Sequence, residues 1–269
     1  MMDTQKKYAL ITGATSGIGY ELARCFVKDR YNLVIVARNQ EELDARASEF
    51  RQYDIETITI SKDLSKRETP FEVYEEVKAK GIVIDVLVND AGQGQYGEFV
   101  DTDINRELDI IQLNIGGYVT LTKLFLKEMV ARNEGKILNV ASIGSKLPGP
   151  LQAVYHATKA FVLSFDEALQ EELKDTNVTI TSLLPGPTDT DFFRKADMED
   201  SKMVQENTLS DPEKVAEDGY KALMNGERRI ISGFKNKVQV AMSNMMPDSM
   251  VAANIHKQME PVENDKHAK

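Results

Sequence analysis

Short uninterrupted apolar runs alternate along the chain with longer segments in which apolar residues recur at helical spacing. The first run, Tyr8-Ala9-Leu10-Ile11, precedes a segment with Leu22, Ala23, Phe26 and Val27 on one face. The second, Asn32-Leu33-Val34-Ile35-Val36-Ala37, leads into a charged helix from Gln40 to Phe50. A third strand is expected at Glu56 to Ile60, running out at Asp63. A helix follows at Phe71 to Ala79, with Val73 and Val77 inward, and a fourth strand at Val86 to Val88. The pattern then predicts a long helix over Asp103 to Val130 and a strand at Lys136 to Val140. A second long helix over Tyr155 to Lys174 and a strand at Val178 to Leu183 come next. Arg228 to Ser232 is a candidate seventh strand. Apolar strands separated by helices pair in parallel through crossovers. The expected fold is therefore α/β, a doubly wound parallel sheet of about seven strands with helices on both faces, in one domain over residues 1–269.

In such sheets ligands bind beyond the carboxyl ends of the strands. Gly13, Asp63, Asn89, Ser142 and Pro185 all follow predicted strand ends, so the topology gathers them at one edge. Thr12-Gly13-Ala14-Thr15-Ser16-Gly17-Ile18-Gly19 lies between the first strand and the first helix. Glycines there permit a tight turn and close approach of a pyrophosphate, and the helix N-terminus offers free N–H donors. The spacing is Gly-x-x-x-Gly-x-Gly, and Tyr20 follows Gly19 where a Walker loop would place lysine. Further along, Tyr155 and Lys159 stand at i and i+4 of a predicted helix, on one face. An ammonium beside a phenol favours the phenolate and lowers the tyrosine pKa, which suits acid/base work near neutrality. His156, next in sequence, points about 100° away and is read as structural.

Taken together these segments resemble the classical short-chain dehydrogenase/reductase family. The residues that carry the resemblance are the Thr12–Gly19 turn, Asp63-Leu64, Asn89-Asp90-Ala91-Gly92, Asn114, Ser142, Tyr155 with Lys159, and Pro185-Gly186-Pro187-Thr188-Asp189-Thr190. They occur in family order from about residue 6 to residue 190. One departure is Asp90, where the family carries a second asparagine. The resemblance implies a Rossmann-type fold and reversible hydride transfer between a nicotinamide cofactor and a ketone or secondary alcohol. It implies that Tyr155 donates the proton, Ser142 polarises the carbonyl, Lys159 tunes Tyr155 and holds the nicotinamide ribose, and Asn114 anchors a water that links Lys159 to solvent. Cofactor contacts are expected from Gly13, Thr15, Ser16, Gly17, Ile18 and Gly19. Arg38, Asp63, Leu64, Asn89, Ala91 and Gly92 are expected to contribute, as are Pro185, Gly186, Thr188, Thr190, Tyr155 and Lys159. The second strand ends in Ala37-Arg38 with no acid, and a guanidinium there can clamp a 2′-phosphate. NADP(H) is accordingly preferred over NAD(H), although Ser16 stands where many NADP-dependent relatives have a basic residue. The substrate wall is expected to comprise Ser142, Ile143, Gly144, Leu147, Pro148, Gln152, Tyr155 and Phe193. Residues 191–210 are expected to form a lid.

Composition narrows these readings. Net charge is −10, which argues against a nucleic-acid surface. No apolar stretch reaches the length of a membrane span, and the N-terminus has no signal-like core. The one cysteine, Cys25, has no disulfide partner in the chain, so a cytoplasmic setting is expected. The histidines His156, His256 and His267 show no metal-ligand spacing, and no metal is expected. Residues 235–260 carry Met242, Met245, Met246, Met250 and Met259. This segment is read as a cap on the substrate pocket or a subunit contact, and residues 264–269 as a flexible polar tail. The resemblance implies a homodimer or homotetramer, and the methionines and aromatics interspersed in residues 191–209 suggest an adaptable, apolar small-molecule substrate. The alternatives are a non-catalytic NADP(H)-binding regulator, a 3-oxoacyl reductase acting on a carrier-bound substrate, or an epimerase or dehydratase on the same scaffold.

Overall fold

The computed structural model describes residues 7–262; the tail expected at 264–269 lies outside the described residues. The chain runs β1 (Tyr8–Thr12), α1 (Gly17–Lys28), β2 (Asn32–Ala37), α2 (Gln40–Phe50), β3 (Thr57–Ser61) and α3 (Thr69–Ala79). It continues with β4 (Ile84–Asn89), α4 (Ile104–Ile111), α5 (Tyr118–Arg132), β5 (Gly135–Val140), α6 (Ala153–Glu172) and β6 (Val178–Leu184). The last part holds α7 (Phe192–Lys195), α8 (Lys202–Gln205), α9 (Pro212–Met224), β7 (Arg229–Ile231), α10 (Phe234–Ser243) and α11 (Asp248–Met259). The seven strands form one sheet in the order β3-β2-β1-β4-β5-β6-β7. Every pairing is parallel, with Leu10 opposite Val34 on one side and Leu87 on the other. The order reverses between β1 and β4, so the loops after these two strands open the crevice of the sheet.

Successive strand residues point to opposite faces, and both faces here are apolar. Ala9 and Ile11 of β1, Leu33 and Ile35 of β2, and Val86 and Val88 of β4 enter one core with α1, α2 and α9. Leu10, Val34, Val36 and Leu87 enter the other with α3 and α5. A third cluster joins Ile143, Leu147, Val162, Phe193, Val240, Val251 and Ile255, and so ties the C-terminal helices to the end of α6. Asn39 caps α2 by accepting from the N–H groups of Glu41 and Glu42 at 2.9 and 3.3 Å. Asp103 caps α4 and Asp211 caps α9 in the same way; each cap is worth about 1 kcal/mol.

The expected Asp103–Val130 helix is α4 and α5 joined by a π-helical turn at Gln112–Gly117. Gly116 and Gly117 weaken regular helix at this point, and the wider turn carries Asn114 into the interior. The helix α9 was not anticipated, although Asp211-Pro212 is a start signal and Val215, Ala216, Gly219, Ala222 and Leu223 form its buried face. Pro247 divides the methionine-rich segment into α10 and α11. No helix among the described residues is long and apolar enough to cross a membrane.

Phe26 is fully buried, with ring edges of Tyr31 and Tyr220 at 5.3 and 4.9 Å between centroids. Phe26→Ala removes that anchor between α1 and α9. It is expected to destabilise the fold by about 3–5 kcal/mol, read as a lower denaturant midpoint at unchanged slope.

Candidate active site

A cavity of about 610 Å³ opens beyond the carboxyl ends of the strands. Gly13, Thr15, Ser16, Gly17 and Ile18 form one side of it. Gly13 has φ +74°, and a Cβ there would lie 3.0 Å from both the Ala91 nitrogen and Asp90 Oδ2. Thr12 Oγ1 accepts from the N–H groups of Asp90 and Ala91 at 3.0 and 3.1 Å. The ends of β1 and β4 are thereby locked together, with the glycine turn pressed against them. Gly19 is not on the cavity wall. A Cβ on it would come within 2.4 Å of Asp90 Oδ2 and 2.5 Å of the Gly13 oxygen, so its absence lets α1 pack onto the turn.

At the far end the wall is Val36, Ala37, Arg38 and Asn39 from β2, and Lys62, Asp63 and Leu64 after β3. Asp63 Oδ1 accepts from the Ser65 N–H at 3.1 Å, which sets the turn. Lys62 pairs with Glu72 at 2.6 Å. The carboxylate of Glu42 also lines this end. Arg38 is exposed at the cavity rim, and its carbonyl accepts from Ser61 Oγ at 2.9 Å.

The opposite end is built from β4, β5 and α6. Asp90, Ala91, Gly92 and Gln93 form its floor. Ser142 follows β5 and accepts from the Gly144 N–H at 3.0 Å, capping a short 3-10 turn at Ile143–Lys146. Tyr155 hydrogen-bonds to Ser142 and lies under Phe192, with ring centroids 4.9 Å apart. Lys159 Nζ donates to the Val140 carbonyl at 2.7 Å and stands 5.9 Å from the Tyr155 ring centroid. Asn114 is fully buried behind this wall. Its Oδ1 accepts from the Gln93 N–H at 3.0 Å, and its Nδ2 donates to the Gln93 carbonyl at 2.9 Å and to Thr158 Oγ1 at 3.0 Å. Above Gly92 the side chains of Asn114 and Lys159 converge, since a Cβ there would be 3.4 Å from Asn114 Oδ1 and from Lys159 Nζ.

The charges at this end differ from the expectation that Lys159 lowers the Tyr155 pKa. Tyr155 is pushed up to about 12, mainly by burial and further by the Asp90 charge, with the Ser142 hydrogen bond opposing. Burial likewise pushes Lys159 down and Asp90 up, while each tempers the shift of the other. Asp90 also accepts from the Gly19 N–H at the start of α1. The Asp90 carboxylate, facing the lysine, acts on the phenol in the direction opposite to that expected of an ammonium.

Pro185, Gly186, Thr188 and Thr190 follow β6 along the cavity. The Pro185 carbonyl accepts from the Ile143 N–H at 2.9 Å and joins this loop to the Ser142 loop. Ile143, Gly144, Leu147, Gln152 and Phe193 line the cavity, whereas Pro148 is exposed and off the wall. Within 191–210, Phe192, Phe193, Lys195, Met203, Asn207 and Thr208 reach the wall. From α11, Ile255, Gln258 and Met259 do the same. His156 Nδ1 lies 3.0 Å from the Leu147 oxygen, a structural contact.

Besides Gly19, Asn114 and Pro148, one more expected site residue lies off the cavity wall, Asn89. It is 1% exposed, and its Nδ2 donates to Thr122 Oγ1 at 3.1 Å and Asn139 Oδ1 at 2.9 Å, in the core behind the cavity. The sequence reading omitted Phe192, Gln93 and Lys62 from the site. Lys62 adjoins Asp63 and Phe192 adjoins Phe193, but neither neighbour's role marks it. Gln93 contributes through its backbone, which no side-chain pattern reveals.

A doubly wound sheet whose glycine turn opens on a cavity holding Ser142, Tyr155 and Lys159 defines an oxidoreductase of the dinucleotide-binding class. The family model described as short chain dehydrogenase matches residues 7–201, and the chain belongs to that short-chain dehydrogenase/reductase family. It is 37% identical over 186 residues to a very-long-chain 3-oxoacyl-CoA reductase of Bos taurus, covering 66% of this chain and 58% of the bovine protein. The match thus spans less than two thirds of that relative's length. A Bacillus subtilis protein described as the uncharacterized oxidoreductase YvrD is 35% identical, with 70% of this chain and 71% of that one covered. Among solved structures, a short-chain dehydrogenase from Sphingobium yanoikuyae in complex with NADPH superposes with a TM-score of 0.79. It has 26% identity, over 89% of this chain and 95% of that one.

Because Gly19 admits no atom on its Cα, Gly19→Ala is expected to cost about 1–3 kcal/mol by overpacking and to weaken dinucleotide binding in step. Thermal unfolding followed with and without NADPH checks both effects. Unchanged stability and unchanged binding would remove the packing role given to this glycine.

Proposed function

We propose that the protein is an NADP(H)-dependent oxidoreductase that interconverts a ketone and a secondary alcohol, with Tyr155 as the acid/base. The observation that carries this reading is the convergence of Ser142, Tyr155 and Lys159 at one end of a cavity whose other end carries Arg38. The residues fit a dinucleotide. Gly13, Thr15, Ser16, Gly17 and Ile18 line the cavity at the start of α1, where a pyrophosphate would meet backbone N–H groups, and Asp63 and Leu64 offer an adenine wall. Arg38 and Asn39 flank the position where Ala37 replaces an acid. A 2′-phosphate there would meet a guanidinium without the repulsion that an acid at Ala37 would add. When bound, the cofactor supplies or accepts the hydride at the substrate carbon.

The chain's own residues would then act as follows. Ser142 donates a hydrogen bond to the carbonyl oxygen and polarises it. Tyr155 gives its phenolic proton to the same oxygen as negative charge develops. A phenol pushed up to about 12 is protonated throughout the physiological range, so it is the donor that reduction requires. Lys159 presents its ammonium between Tyr155 and Asn114, and the cofactor ribose is its expected partner. Phe192, packed on Tyr155, shields the phenol from water. Segment 191–210 and α11 complete the substrate wall as a lid and cap. A carrier-bound 3-oxoacyl substrate remains the second reading, favoured by the named activity of the bovine relative.

NADPH and NADH oxidation against a ketone panel tests the proposal. Turnover should favour NADPH, and Arg38→Ala should lower kcat/KM for NADPH about tenfold or more with little change for NADH. Tyr155→Phe should remove about 10²–10⁴-fold of the turnover while NADPH still binds. No oxidation of either cofactor in the native protein, with Tyr155→Phe indistinguishable from it, would instead mark a binding regulator.

The elevated Tyr155 pKa also sets a pH signature. Ketone reduction should stay level from about pH 6 to about pH 9, because the phenol remains protonated. Alcohol oxidation needs the phenolate, whose fraction grows with pH below the pKa, so its rate should climb severalfold per unit over the same range. A plateau in oxidation near neutrality would show that the tyrosine titrates far lower than its burial indicates.

A further inference from the structure

Beside the catalytic cavity lies a second space of about 460 Å³, between α10 and α11. It belongs to a part of the chain beyond residue 201, where the family match ends. Its outer wall is a stripe along α10. Phe234, Val238 and Met242 recur at i, i+4 and i+8 and so share one helix face. Its floor is Leu147, Met246, Val251 and Ile255, all packed in the cluster that ties the C-terminal helices to α6. Lys235 is the single charged residue among those that line it.

The groove and the catalytic cavity are neighbours with a common wall. Leu147, Lys235, Gln239, Ile255 and Gln258 line both. Leu147 ends the 3-10 turn that Ser142 caps, so the wall begins a few residues from the polarising hydroxyl. Three of the five are long unbranched side chains, and Lys235 and Gln258 are exposed. Such side chains change rotamer on a picosecond-to-nanosecond scale without backbone movement. Beyond the shared wall the lining is mostly apolar and partly methionine, a surface that adapts to the shape of an apolar guest. Its polar members there are Ser243 and Asn254, and the one charge, Lys235, sits on the shared wall itself.

We propose that this groove receives the distal apolar chain of a substrate whose carbonyl lies at Ser142 and Tyr155, so that long unbranched alkyl ketones and alcohols are bound in preference to short ones. The proposal rests on the oxidoreductase reading for the position of the carbonyl. Its occupant is a flexible hydrocarbon chain entering from the cavity between Gln239, Gln258 and Lys235. Each methylene that passes the shared wall leaves water for the face formed by Val238, Met242, Met246 and Val251. A buried methylene is worth about fourfold in affinity.

The test is calorimetric titration of a 2-alkanol series, from about four to about fourteen carbons, into the full chain with NADP⁺ present. It is paired with turnover of the matching 2-alkanones. Affinity should rise about fourfold per methylene once the chain passes the shared wall. Met242→Trp fills the groove from the exposed side of α10, outside the catalytic cavity. It should lower affinity for the longest members about tenfold or more and leave the shortest unchanged. Met245→Trp, at a residue 87% exposed that does not line the groove, should leave the whole series unchanged. An affinity independent of chain length, or Met242→Trp matching the native protein at every length, would overturn the proposal. So would a dimer dissociated by Met242→Trp with no length dependence, which would assign the groove to a second copy of the chain. Length-dependent binding without turnover would keep the groove and remove the oxidoreductase reading; turnover of short ketones with flat length dependence would do the reverse.

Discussion

The constraint on which the rest of the structure depends is the close approach of α1 to the ends of β1 and β4. Two missing side chains make it possible. At Gly13 and Gly19 a single added carbon would meet backbone or the Asp90 carboxylate at 3.0 Å or less. Thr12 Oγ1 then holds the Asp90 and Ala91 N–H groups, and Asp90 takes the Gly19 N–H. One consequence is that α1 begins at the cavity, with Gly17 and Ile18 on its wall, the placement that favours a pyrophosphate. Another is the placement of Gly92, over which the side chains of Asn114 and Lys159 converge. The phosphate end and the proton-transfer end are thus positioned by the same few contacts.

Asp90 links those ends electrostatically as well as sterically. A neutral side chain there would remove one of the two carboxylates, Asp90 and Asp166, whose charges favour the Lys159 ammonium. With a carboxylate present, burial and countercharge set the two groups together, and the phenol is governed by its own desolvation. The lysine still offers an ammonium held on the Val140 carbonyl. Its effect on the tyrosine therefore depends on what joins the site. A bound dinucleotide would bring its own charge and exclude water, and both change the balance between Asp90 and Lys159.

The sheet was legible in the sequence because β1, β2 and β4 are short, mostly buried runs, and length together with flanking turn signals separates such runs from helices. The site was legible in placement: Ser142, Arg38 and Asp63, which follow strand ends, and Tyr155 and Lys159, which share a face of α6, all reach the cavity wall. It was not legible where packing decides. Nothing in the chain marks Phe192 rather than Phe193 as the ring on Tyr155, because the two are adjacent in one short turn and both line the cavity. The Tyr155–Lys159 spacing correctly puts both groups on one face, yet it led to the wrong sign for the tyrosine pKa. Desolvation and the long-range neighbour Asp90 are properties of the folded interior and have no local signature. The helix α9 had caps and a buried face, but its polar surface obscured the period.

Asn89 shows how a residue can serve a site without touching it. Its amide begins a buried chain of hydrogen bonds that crosses β4, β5 and β6. Thr122 accepts from Asn89, Asn139 accepts from Asn89 and donates to Asp166, and Ser182 Oγ donates to the other Asp166 oxygen at 2.7 Å. Strands joined only by apolar packing tolerate small relative slips, whereas a buried chain of directional hydrogen bonds favours one register. The three strands so fixed are those whose ends carry Gly92, Ser142 and Pro185. Asp166 sits on α6, the helix of Tyr155 and Lys159, so the same network also sets where that helix stands over the sheet. Proton transfer is sensitive to fractions of an ångström between donor and acceptor. The buried amides behind the cavity help to fix the strand ends and α6 in one arrangement, and this accounts for an asparagine at the end of β4 that faces the core.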